Sequence, residues 1–176
     1  MNSGDLLALY ERMDHREQEA RNKIDSRLQL ELAVLTVLGT ANAYILLKAV
    51  TDEAAGTAWF AIFLVCYVVN VALFVASCFH YVRALWGHDY ECLPTARKIE
   101  KYWQELGSFY TTASNVAEQE MDAAVREYFI KCASMNAEVN TLRSQRLHHS
   151  ISYAVYSLPM CFVSGTISVV ASWNTN

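Results

Sequence analysis

The residues best suited to chemistry in this 176-residue chain are Arg143 and His148, an Arg-x4-His pair near the end of a long helical stretch. A guanidinium holds phosphate charge and an imidazole moves protons near neutral pH, so the pair suits acid–base work on a phosphodiester. The same spacing recurs at Arg83 and His88, as chance allows in a chain of this size. With Arg146 and His149 beside them, Arg143 and His148 read more simply as a cationic collar at headgroup depth. No Gly-rich phosphate loop, Glu-x-x-His pair, Ser-His-Asp set or intramembrane acid is apparent, so neither an enzyme nor a proton-coupled transporter is expected. The five cysteines (Cys66, Cys78, Cys92, Cys132, Cys161) lack CxxC spacing and read as small apolar residues. Neither a metal nor a cofactor is expected.

Composition turns attention to the elements that hold these residues. Apolar residues make up 53% of the chain against 18% charged, and the imbalance is concentrated in three stretches at 32–50, 57–82 and 151–172. Each is near the roughly 20 apolar residues that a helix needs to cross a bilayer core. Lys48 sits close enough to the end of the first to snorkel. The first run begins about thirty residues in, behind a charged helical segment, so it reads as a span and not a cleaved signal. Trp59, Tyr81, Trp86, Tyr153 and Trp173 fall near the ends of the runs, as an interfacial belt requires.

Lys and Arg set the expected orientation. Arg12, Arg16, Arg21, Lys23 and Arg27 precede the first run, Arg83 to Arg146 supply eight more between the second and third, and the acidic turn at 51–56 has none. The positive-inside rule then places the N-terminus and the central segment in the cytoplasm. The fold expected is all-α, an integral membrane helical bundle with three spans and a long cytoplasmic helical segment. Its parts are a cytoplasmic amphipathic helix (1–30), a two-span hairpin (31–83), the cytoplasmic helical segment (84–149) and a third span (150–176). A net charge of −4 argues against a general nucleic-acid binder, and no DNA partner is expected.

Within the central segment, Pro94 ends a loop, Thr95 is available as an N-cap and residues 111–115 break the helix that follows. From Ser114 a longer helix continues toward the third run. On it Val125, Tyr128, Cys132, Met135, Val139 and Leu142 follow a 3-4-3-4 spacing, the seam of a helix packed on another copy. Polar residues in the apolar runs mark interior faces, because lipid tolerates them poorly. Asn42, Asn70, Ser164, Ser168 and Ser172 are therefore candidates either for close helix packing or for lining a bore.

The arrangement of a cytoplasmic amphipathic helix (YERMDHREQEARNKIDSRLQLEL), a two-span hairpin and a long helical segment resembles the small membrane effectors of bacterial anti-phage systems. The two-span SLATT-type effectors share the first half. Arg143 and His148 make the chain more similar to the HEPN-like membrane accessory proteins of type VI-B CRISPR systems. That resemblance implies a homo-oligomeric pore in the bacterial inner membrane that augments defence by depolarising it, with an RNA-guided nuclease or RNA as trigger. In HEPN ribonucleases such an Arg and His meet on dimerisation and cleave RNA, so a membrane-tethered ribonuclease is the alternative. A non-catalytic scaffold needs only the packing seams.

Overall fold

The computed structural model describes residues 3–51, 58–86, 88–111 and 113–173. Four helices follow one another: α1 (Ser3–Thr51), α2 (Ala58–Leu85), α3 (Ala96–Phe109) and α4 (Ser114–Trp173). No strand occurs among the described residues. α1, α2 and α4 are each long and apolar enough to cross a membrane. The amphipathic segment expected before the first run continues into it without a break, giving one 49-residue helix. Likewise the stretch from Ser114 continues through the third run as a 60-residue helix. Pro159 lies inside it and removes one backbone donor, a loss that helices in apolar surroundings accommodate through neighbouring groups.

The chain divides into two compact units, residues 1–23 with 88–141 and residues 24–87 with 142–176, so α1 and α4 contribute to both. In the second unit the buried positions of α1 are Ile24, Leu28, Glu31, Leu35, Leu38, Asn42 and Ala49. Those of α2 include Phe63, Asn70, Ser77, Tyr81 and Ala84, and those of α4 run Leu147, Ser150, Ala154, Ser157, Cys161, Ser164 and Ser168. All three sets step by three and four residues, or by seven where one position is only half-buried. That is the repeat of long helices packed knobs-into-holes. Gly39 lets two of them approach: a Cβ there would meet the Phe74 ring at 3.3 Å.

In the first unit the non-helical segment after α2 must find partners for its backbone, since Pro94 prevents it from joining a helix. Asn136 on α4 supplies them. Its amide nitrogen donates to Glu91 O at 3.0 Å and its oxygen accepts from Glu91 N at 3.1 Å. Next to it, Asn140 accepts from the Tyr90 hydroxyl at 2.8 Å and donates to Glu17 O and Oε2 on α1, both at 2.9 Å. Arg21 covers the Tyr90 ring at 4.3 Å, and Lys131 pairs with Glu91 at 3.1 Å. Replacing Asn136 with leucine removes both bonds to Glu91 and leaves two backbone groups unpaired, a cost of about 1–3 kcal/mol. Hydrogen exchange at the Glu91 amide should then accelerate by roughly tenfold or more. Exchange at the unaltered rate would show that Asn136 does not hold the segment.

Candidate functional site

The interior of the second unit intersperses polar residues with the apolar cluster of Ile24, Leu28, Leu35, Tyr81, Ala84 and Leu147, and its exterior carries large apolar side chains. Asn70, Ser77, Ser150, Ser157 and Ser164 are all 0% exposed, whereas Leu30, Val37 and Phe162 are 71%, 68% and 74% exposed. A water-soluble bundle turns its polar face outward instead. The polar groups lie in layers along α1, α2 and α4.

The first layer is ionic. The Arg143 guanidinium, with a side chain only 6% exposed, pairs with Asp25 at 2.6 Å and donates from Nε to Ala84 O at 3.0 Å. Arg146 donates to Arg83 O at 2.9 Å. A second layer follows seven residues along α4 and seven back along α2. Here Ser150 donates to Glu31 Oε1 at 3.0 Å, and the Ser77 hydroxyl lies 3.5 Å from the same carboxylate oxygen and 2.7 Å from Ser150 O. Glu31 is 5% exposed, and among the described residues no Lys, Arg or His pairs with it.

In the third layer Asn70 donates to Asn42 Oδ1 at 2.7 Å and accepts from the Ser157 hydroxyl at 2.6 Å. Asn42 donates to Leu38 O on its own helix, and the Tyr67 hydroxyl reaches Asn42 O at 3.2 Å. Farther along α4, Ser164 donates to Met160 O and Ser168 is buried, while the Ser172 side chain lies outside the described residues. Chemically the ladder offers an ion pair, a carboxylate that accepts from serine hydroxyls, and an amide pair.

Asn42 and Asn70 are thus brought together inside one chain, while Ser164 and Ser168 are buried farther along α4. Of the expected collar, Arg143 is buried in its ion pair, Arg146 is half-buried, and His148 and His149 are exposed. Arg143 and His148 consequently occupy different faces of α4. The His149 ring packs on His80 at 5.4 Å, and His80 stacks on Tyr153 at 5.5 Å. Along the expected oligomer seam Cys132 is buried, Val125 and Val139 are half-buried, and Tyr128, Met135 and Leu142 are exposed. Glu31 is a buried acid that the sequence reading did not single out: it immediately precedes the first run, and its carboxylate oxygen lies 3.5 Å from the Ser77 hydroxyl within the second. One sequence signal was available, since Glu31 continues the three-and-four spacing of Ile24, Leu28, Leu35 and Leu38.

No protein-family model, curated protein or solved structure matches the chain. Its function therefore rests on the geometry described above.

Proposed function

We propose that the protein is a membrane-embedded effector that depolarises a bilayer by passing cations along the polar interior of α1, α2 and α4. The observation that carries this is Glu31. A carboxylate that is 5% exposed among packed helices, with two serine hydroxyls on one oxygen and no cationic partner among the described residues, is costly to bury and attracts a cation or water. Ionisable residues buried among membrane helices mark ion and substrate pathways. The layers above and below extend the same polar surface along the helices, and the apolar exterior suits lipid. In the observed conformation every layer is tightly packed, so it corresponds to a closed state that conducts only when the helices separate.

Arginine and lysine placement supports a cytoplasmic N-terminus and central segment. The resemblance to anti-phage effectors supplies the setting of the proposal: the bacterial inner membrane, where a signal from an RNA-guided nuclease or RNA raises the open fraction above a basal level that the chain reaches on its own. The ribonuclease reading gains no support within one chain, because Arg143 is committed to Asp25 and Ala84 while His148 faces outward.

The test is Glu31→Gln, which keeps the hydrogen bonding to Ser77 and Ser150 and removes the charge. Expressed in cells carrying a voltage-sensitive dye, the wild-type chain should depolarise the membrane. The variant should insert equally and depolarise about tenfold more slowly, as a loss of about 1.4 kcal/mol of ion stabilisation predicts. Equal depolarisation by both would remove Glu31 from the path.

A further inference from the structure

The first unit contains a groove that the ladder does not explain. It lies between α3 and α4, encloses about 850 Å³, and is lined by Ile99, Tyr102, Met121, Val125, Tyr128 and Phe129 among others. α3 is strongly amphipathic, with Ile99, Tyr102, Trp103, Leu106 and Phe109 on one side, yet it has no buried residue. Tyr102 is 40% exposed, Tyr128 47% and Phe109 80%. A pair of helices that leaves this much aromatic surface open is half of a packed unit, since amphipathic helices are stable when their apolar stripes are covered.

Both signs of charge line the groove. Lys98 and Glu127 are exposed, and neither has a partner among the described residues. Lys131 and Glu91 are already paired. An anionic surface would be repelled by Glu127 and a cationic one by Lys98. A face carrying one unpaired ammonium and one unpaired carboxylate complements itself under a two-fold axis, the commonest symmetry of protein pairs.

We propose that the groove is a self-association surface: the α3–α4 pair of a second copy of this chain seats in it, closing a four-helix bundle. Lys98 of each copy then meets Glu127 of the other, and the Tyr102 and Tyr128 rings form its centre. α3, at 14 residues, is about 21 Å long, and two such helices side by side present one flank of a bundle of ordinary dimensions. The inference is independent of cation permeation, because every residue it uses lies in the first unit.

Cys92 provides a native reporter. It is exposed and lines the groove, whereas Cys132 is buried. Burial, followed by the negative charge of Asp14 and Glu91, pushes the Cys132 thiol above its ordinary range and suppresses its alkylation.

The experiment uses the full chain in mild detergent, with particle mass and the iodoacetamide labelling rate of Cys92 measured on the same samples. Two chains per particle, or a multiple of two, are expected, with Cys92 protected. Tyr128→Glu should halve the mass and accelerate Cys92 labelling about tenfold, whereas Tyr128→Phe should retain both wild-type values. Because Tyr128 is exposed in the single chain, helical content should be unchanged. A wild-type particle of one chain overturns the proposal. So does a mass that Tyr128→Glu leaves intact, which would place assembly elsewhere. Cys92 protection in a one-chain particle would also overturn it, showing that a small amphiphile fills the groove.

Discussion

Replacing Arg143 with alanine is expected to destabilise the protein by about 3 kcal/mol, the lower part of the range for breaking a buried ion pair. The guanidinium is nearly inaccessible and makes two different bonds, to the Asp25 carboxylate at 2.6 Å and to Ala84 O at 3.0 Å. Its removal leaves the carbonyl of a fully buried residue without this donor and opens a gap between three helices. Asp25 is 45% exposed and recovers water, so the loss falls short of a wholly buried pair. Arg143→Lys should recover only part of it, since an ammonium cannot reproduce the planar fork that spans both acceptors. A residue in an exposed collar would lose less than about 0.5 kcal/mol on the same substitution. Thermal unfolding in detergent, followed by circular dichroism, separates the two magnitudes.

Asn70→Leu is expected to cost about 2–4 kcal/mol. The amide links three helices through its bonds to Asn42 and Ser157. Interhelical hydrogen bonds in apolar surroundings contribute about 0.6 to 1.7 kcal/mol each. Leucine adds a branched side chain at a position with 0% exposure, and overpacking of that kind adds about 1–3 kcal/mol. Ser157 offsets a little by turning its hydroxyl to a carbonyl of its own helix, as Ser164 already does to Met160. Asn42 has no such alternative for its oxygen. If Asn70 instead lined a wide bore between copies, leucine would be tolerated in stability, and unfolding at the wild-type temperature would point there.

Helix positions were largely legible in the sequence. Uninterrupted apolar runs are helices because no other local structure satisfies the backbone over that length. The break between α3 and α4 appeared as the polar cluster at 111–115. The loop ahead of α3 was marked by Pro94, and Thr95 stands at the N-cap position, although its side chain makes no capping bond there. The polar positions Asn42, Asn70, Ser164 and Ser168 were recognisable as interior because lipid penalises them.

What the sequence did not disclose was which surfaces these residues face, and the reason is periodicity. An apolar 3-4 pattern identifies Tyr128, Met135 and Leu142 as a seam, and all three are exposed in the single chain. The buried face of α4 lies one residue farther along, at Asn136, Asn140, Arg143 and Leu147. Because that face is mostly polar, a search for hydrophobic spacing passes over it. Glu31 was hidden in the same way: a charged residue beside an apolar run looks like the water boundary until Ser77 and Ser150 are placed against it. The open α3–α4 groove had no sequence signal beyond the amphipathic pattern of α3, which reads the same for a covered helix.

Potassium flux through the purified wild-type chain, reconstituted in liposomes under an imposed membrane potential, tests the cation pathway most directly. Flux should rise with the amount of inserted protein and fall about tenfold with Glu31→Gln. Liposomes containing inserted wild-type protein that hold the gradient as tightly as empty ones would contradict it.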